Sequence, residues 1–216
     1  MANNYYFTEK PEAKSQEREL KFKFNGEDFS FISDNAVFSK DRIDMGSKLL
    51  LEAYFNELPT LKAFDKATYE QISRGKKLDL GCGYGVLGLV VQKFFPEGSI
   101  LLTDVNERAL HLSKKNISRN NIKNAKVRKS DGFKNIQEDF DLIITNPPIR
   151  TGKDKVHELL IDAKKHLKAN GVLVAVIGKK QGASSYGDFL EELFPTYRII
   201  LKKKGYTVFF CQTKEA

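Results

Sequence analysis

What this 216-residue chain lacks removes several classes of protein at the outset. No stretch approaches the roughly 18 uninterrupted apolar residues of a membrane span, so a helical membrane protein is excluded. The opening segment, MANNYYFTEKPEAKSQEREL, has no apolar h-region, so no secretory signal is expected and the chain reads as cytoplasmic. Its two cysteines, Cys82 and Cys211, stand apart with neither a disulfide framework nor metal-ligand spacing, so no metal site is expected. Three histidines, His111, His157 and His166, all fall in stretches of helical periodicity, where surface and capping roles outnumber catalytic ones. No internal repeat, low-complexity tract or long linker divides the chain. One large domain with a small appendage fits this length.

What is present begins with charge. Lysine and arginine number 36 against 28 acidic residues, a formal net charge of +8. Such an excess favours a polyanionic partner, because each neutralised phosphate releases counterions. Apolar residues make up 41%, with 16 phenylalanines, enough to fill a sizeable core. No exposed apolar helix stands out, so a monomer is expected.

The first 35 residues differ from the rest. Phe22 and Phe24 precede Asn25-Gly26, and Phe29 and Phe31 follow it. Alternation at period two around Asn-Gly predicts a β-hairpin. Residues 1–35 therefore read as an N-terminal extension and 36–216 as the main domain. Helices are predicted at 44–57 and about 61–74.

From Lys76 onward strands and helices alternate. Strands are predicted at 77–81, 99–104, 125–129, 141–145, 171–177, 197–203 and 206–211. Helical periodicity occupies 85–95, 107–119 and 154–168. Alternation of this kind predicts a Rossmann-like α/β fold, a mostly parallel sheet with helices on both faces. The last two strands are joined by about two residues at Lys204-Gly205, so they must run antiparallel.

The stretch 78–88, LDLGCGYGVLG, is a strand entering a glycine-rich turn and then a helix. Gly81, Gly83 and Gly85 let the backbone turn tightly and approach a ligand. Gly83, Gly85 and Gly88 also match G-x-G-x-x-G, and Asp104 follows 21 residues after Gly83, which fits a nicotinamide cofactor. Asp79 decides against that cofactor. A carboxylate at this strand end repels a pyrophosphate and attracts an ammonium or a sulfonium. S-adenosylmethionine carries both cations. Asp104 is then placed to accept the ribose hydroxyls, and Asp131 lies beside the adenine edge.

These motifs carry a resemblance. Asp79 through Gly85, Asp104, Asp131 and Asn146-Pro147-Pro148-Ile149 are similar to those of the class I S-adenosylmethionine-dependent methyltransferases. The resemblance implies a seven-stranded sheet with its last strand antiparallel, over roughly 36–211. It agrees with the ending read from the turn.

At 146–149 two prolines follow an apolar strand and hold the backbone rigid. An exocyclic amine is a poor nucleophile because its lone pair is delocalised into the ring. The Asn146 side-chain oxygen and the Pro147 carbonyl are suited to accept its two hydrogens and free that lone pair, with little ordering left to do. Protein glutamine methyltransferases carry the related NPPY. Here Ile149 replaces the aromatic, and Phe38, counted with the donor site, and Phe133 are the candidates for stacking.

Five stretches narrow the resemblance to the small-subunit ribosomal RNA guanine-N2 methyltransferases: 5–17, 34–52, 146–153, 179–185 and 202–208. Ala36 departs from the glycine usual before Val37-Phe38-Ser39. Relatives in that branch carry a further N-terminal domain resembling a degenerate catalytic copy, so here 1–35 would supply any added recognition. The resemblance implies methyl transfer to a guanine N2, with ribosomal RNA or the small ribosomal subunit as partner. Arg150, Lys153, Lys180 and Gln181 are the candidate substrate contacts, with Lys179, Lys40 and Arg42 nearby. Lys202-Lys203-Lys204 reads as a solvated edge that discourages strand pairing. The competing readings are a DNA adenine or protein glutamine methyltransferase, a non-catalytic RNA-binding relative, and a nicotinamide oxidoreductase.

Overall fold

The structure, a computed structural model, describes residues 14–214, so most of the 5–17 motif lies outside the described residues. The alternating phenylalanines form β1 (Arg18–Phe24) and β2 (Glu27–Ser33), paired antiparallel. Asn25 and Gly26 both take positive φ, the requirement of a two-residue type I′ turn. The outer edge of β2 meets a helix instead of a third strand. Asn116 on α4 (Glu107–Arg119) and Asn120 at its C-cap, one turn apart, each exchange two hydrogen bonds with that edge, at Ile32 and Ser30 respectively. Side-chain amides thus satisfy backbone groups that an exposed edge would leave open.

The main sheet has seven strands: β3 (Lys76–Leu80), β4 (Ser99–Asp104), β5 (Ala125–Lys129), β6 (Phe140–Thr145), β7 (Leu167–Gly178), β8 (Thr196–Lys203) and β9 (Tyr206–Gln212). Their order is β5-β4-β3-β6-β7-β9-β8, and β9 alone runs antiparallel to its neighbours. Alternate residues along the strands feed two cores. One, with Leu102, Ile144 and Val174, packs against α1 (Met45–Phe64), α2 (Lys66–Arg74), α3 (Val86–Phe94), α4 and the hairpin. The other, with Leu78, Ile143 and Leu173, packs against α5 (Lys153–Lys165) and α6 (Ala183–Leu193).

Three elements differ from the sequence expectation. The first helix runs through Pro59, because burial of Leu58 and Leu61 outweighs one lost backbone bond. It stops at Asp65, whose N–H bonds Leu61 O and whose carboxylate caps α2 at Thr68. β7 starts at Leu167, pairs once with Phe140, and resumes at Val172 after an irregularity that includes Asn170 at φ 60°. Helix α6 lies in a stretch without a clear helical pattern of apolar residues. Its buried residues Ala183, Tyr186, Gly187 and Leu190 follow helical spacing, but two of the four are too small to register as an apolar stripe.

Candidate active site

Strand β3 is where the chain reverses its progress across the sheet: β4 and β5 lie on one side of it, β6 and β7 on the other. Ligands of such sheets bind at the carboxyl ends flanking this switch. A cavity of about 480 Å³ opens there. Thr145 Oγ1 donates to Leu80 O at 2.8 Å, tying the ends of β3 and β6 together beneath it.

One wall is bare backbone. Gly81 and Gly83 have φ of 71° and 56°, and a Cβ on either would project into open space with nothing within 4 Å. The turn thus needs glycine for its φ and leaves its backbone open to a ligand. Gly83 N and Asn106 N donate to the two oxygens of Asp104, both at 2.9 Å. Asp79 is buried behind the loop, and its Oδ2 accepts from Gly88 N at 2.7 Å. A Cβ at Gly88 would lie 2.9 Å from Asp79, so the third glycine serves helix–strand packing.

Asp79 Oδ1 is buried with no partner among the described residues. Burial pushes the Asp79 pKa up to about 7, helped by the neighbouring Asp104 charge and opposed by the Gly88 N–H. Burial also raises the Asp104 pKa, despite amide hydrogen bonds from Asn106 and Gly83. Two neighbouring acids, Asp79 buried with an orphaned oxygen and Asp104 half-buried at the cavity wall, fit a cationic ligand and would repel a pyrophosphate. The residues present therefore fit S-adenosylmethionine.

The opposite wall carries Asn146 and the two prolines that follow it. Asn146 Nδ2 donates to Asp44 Oδ2 at 2.9 Å and to Ser47 Oγ at 3.2 Å. Asp44 is the N-cap of α1 and also accepts from Ser47 N at 2.9 Å. With its NH₂ group committed to these two residues, Asn146 has its Oδ1 left as a free acceptor among the described residues. Asp44 and Ser47 were not singled out in the sequence. Asp-x-x-Ser ahead of an apolar run signals a cap, but its contact with a residue 102 positions away has no local signature.

The expected residues divide clearly. Asp79, Gly81, Gly83, Asp104 and Asp131 line the cavity on one side. Phe38, Asn146, Pro147, Pro148, Ile149, Arg150 and Gln181 complete it. Gly85, Lys153 and Lys180 stand outside its wall. Gly85 instead caps α3 at φ 95°, packed under Leu102, Leu89 and Ser113. Asp131 is exposed at the mouth with its carboxylate paired to Lys134. Pro147 O already accepts from Ile149 N at 2.8 Å, an inverse γ-turn about Pro148 (φ −76°, ψ 70°) that leaves one lone pair. Gln181 turns its Oε1 back onto Gly178 N at 3.0 Å.

Of the two aromatic candidates, Phe133 is buried and stacked on His166, whereas Phe38 is 50% exposed at the cavity rim. The loop bearing Phe38 is anchored by Asn106 Nδ2, which donates to Ala36 O at 2.9 Å. His157 is stacked on Phe189, and none of the three histidines lines the cavity. Among the described residues, no helix is long and apolar enough to cross a membrane, and no group of three acidic, histidine or cysteine side chains could hold a metal.

A seven-stranded sheet of this order, with such a donor wall facing a proline-fixed asparagine, defines the class I S-adenosylmethionine-dependent methyltransferases. Within that class, the model of the methyltransferase small domain family matches residues 28–210, and the chain belongs to that family. It is 42% identical to the uncharacterized protein YbxB of Bacillus subtilis, over 95% of this chain and 96% of that one. It is 32% identical to the ribosomal RNA small subunit methyltransferase C of Haemophilus ducreyi, covering 84% of this chain and 51% of the relative. A solved T. thermophilus 16S rRNA N2 G1207 methyltransferase in complex with AdoMet and guanosine superposes with a TM-score of 0.78 at 26% identity, over 93% of this chain and 52% of that one. The chain thus spans about half the length of the ribosomal RNA methyltransferases it matches. A ribosomal protein L11 methylase from Lactobacillus delbrueckii shares the fold at 19% identity, so the fold alone does not select the substrate.

Proposed function

We propose that this protein transfers a methyl group from S-adenosylmethionine to the exocyclic N2 amine of a guanine in small-subunit ribosomal RNA. The observation that carries the reading is the Asn146 amide, held by Asp44 and Ser47 with its oxygen left as an acceptor. Likeness to small-subunit ribosomal RNA methyltransferases and the net charge of +8 support RNA over other amine carriers.

Bound against the glycine loop, S-adenosylmethionine supplies an electrophilic methyl group on a sulfonium. Asp79 meets the donor's ammonium with its unpaired oxygen, and Asp104 accepts from its ribose hydroxyls. Asn146 Oδ1 and the remaining lone pair of Pro147 O accept the two amine hydrogens, turning the nitrogen lone pair out of conjugation. The prolines fix both acceptors in advance, so the gain is positional. No strong base is required, because the amine nitrogen becomes acidic once alkylated. Phe38 stacks on the incoming base at the rim, and Arg150 follows Ile149 toward the RNA. A guanine within structured RNA must be splayed out to reach this depth.

Competition between small-subunit RNA, duplex DNA and a glutamine-bearing protein substrate for labelled methyl tests the reading. RNA should take the label preferentially. Preference for DNA or for a protein amide would overturn the substrate while keeping the enzyme class.

A further inference from the structure

Two hairpins of this chain turn with similar backbones and different residues. Asn25-Gly26 has φ of 45° and 86°, and Lys204-Gly205 has φ of 49° and 77°. Asparagine suits this left-handed turn position, because its short amide can bond locally, whereas lysine gains nothing there. Turn stability therefore does not explain Lys204. Its location does.

Strands β7 and β8 point the same way as β3 and β6, so the β8–β9 turn stands on the same edge of the sheet as the cavity. Lys179 N donates to Gly205 O at 2.7 Å, joining that turn to the Lys179–Gln181 turn after β7. Tyr206, directly after the turn, approaches the catalytic wall. A Cβ built on Gly46 would lie 3.1 Å from the Tyr206 ring, 2.9 Å from Asp44 Oδ2 and 3.4 Å from Asn146 Nδ2.

Four lysines crown this corner: Lys179, Lys180, Lys202 and Lys204, all exposed. None of the four has an ion-pair partner among the described residues, whereas Lys203 between them is neutralised by Glu52 at 2.6 Å. Edge protection, the role expected for 202–204, calls for charge along the middle of the strand. In the middle of β8 the one charge, Arg198, is paired with Glu57 at 2.7 Å and Ile199 beside it is 39% exposed, so the unpaired charge gathers toward the turn instead.

We propose that this four-lysine corner docks the backbone phosphates of structured RNA flanking the nucleotide whose base enters the cavity, an inference that rests on the RNA reading above. Ammonium groups on flexible stems suit phosphates as point charges and carry no sequence preference.

The test is the full chain with Lys179→Gln, Lys180→Gln, Lys202→Gln and Lys204→Asn combined. A control carries Lys62→Gln, Lys66→Gln, Lys93→Gln and Lys123→Gln at the far end of the fold. Donor Kd should stay within about twofold and kcat at saturating RNA within about threefold, since no group near the reacting atoms changes. The RNA KM should rise at least about tenfold near 0.15 M salt, and the slope of log Kd against log salt should fall by about 2–4. Lys204→Asn alone should raise Tm by roughly 1–2 °C, restoring a favoured turn residue. The control should keep most of the RNA affinity. An unchanged slope and KM in the corner variant, with wild-type protein active on RNA, overturns the corner and leaves the RNA reading standing. An equal loss in the control reduces the effect to net charge and also overturns it. Wild-type protein that binds donor yet neither binds nor methylates RNA overturns the RNA reading itself, and the corner with it.

Discussion

Asp44→Ala separates a positioning carboxylate from a structural one. A single oxygen, Asp44 Oδ2, accepts from Ser47 N and from Asn146 Nδ2, both at 2.9 Å. Loss of the helix cap costs about 1 kcal/mol, which lowers Tm by roughly 2–4 °C in a chain of this size. The second bond is charge-assisted and half-buried, of order 1.5–3 kcal/mol. Once it is gone, a half-turn of the amide exchanges Oδ1 and Nδ2 and presents a donor where the substrate amine needs an acceptor. Ser47 Oγ, at 3.2 Å, still holds the amide weakly, so the low end of that range applies. The expected fall in kcat is therefore about 10-fold, at about 1.4 kcal/mol per tenfold. Asp44→Asn keeps an acceptor and a capping group, and should recover wild-type Tm and most of the lost rate. The assay is single-turnover methyl transfer at saturating donor, paired with a donor titration. A wild-type rate in Asp44→Ala would refute the reasoning, as would a donor affinity that falls as far as the rate does.

Other substitutions divide the site by role. Asn146→Ala should lower turnover by about 100-fold or more with donor Kd near wild type, whereas Asp104→Ala should mainly weaken donor binding, by about 10- to 100-fold; titration and turnover measured together distinguish them. Burial holds the Asp79 pKa at about 7, above the roughly 3.9 of an unfolded aspartate. The stability this group lends the ligand-free fold is therefore full below about pH 4 and is lost as pH rises through 7. Donor affinity should run the other way, rising from pH 6 to 8 as the carboxylate forms, and Asp79→Asn should flatten that profile in binding measured across pH. Gly88→Ala forces a methyl to within 2.9 Å of Asp79 and 3.0 Å of Ile100, so a loss of about 1–3 kcal/mol should appear in thermal melts.

Much of this architecture is legible in the residues because local and global preferences agree. Strands β4 and β5 and helix α4 begin and end where the residue pattern places them: β4 is a buried apolar run, β5 a partly buried edge strand and α4 an amphipathic helix, each with clear punctuation. The antiparallel pairing of the last two strands follows from a two-residue connection alone. Elements were misread where tertiary packing overrode a local signal, as when α1 carries Pro59 in its interior. Most of the motif residues gather in one cavity, with Gly85, Lys153 and Lys180 outside its wall, yet the partners that set their chemistry come from afar. Asp44 reaches Asn146 across 102 positions, and Asn106 fixes the Phe38 loop through Ala36 across 70. Asp131 shows the converse. Its place after β5 is readable, but its pairing with Lys134 at the mouth is a surface detail that sequence spacing does not determine.

Transfer of labelled methyl from S-adenosylmethionine to small-subunit ribosomal RNA, naked and as assembled subunits, followed by nucleoside analysis, tests the central claim most directly. The account predicts label in N2-methylguanosine, lost in Asn146→Ala. Label in a methyladenosine, or in protein with none in RNA, would contradict it.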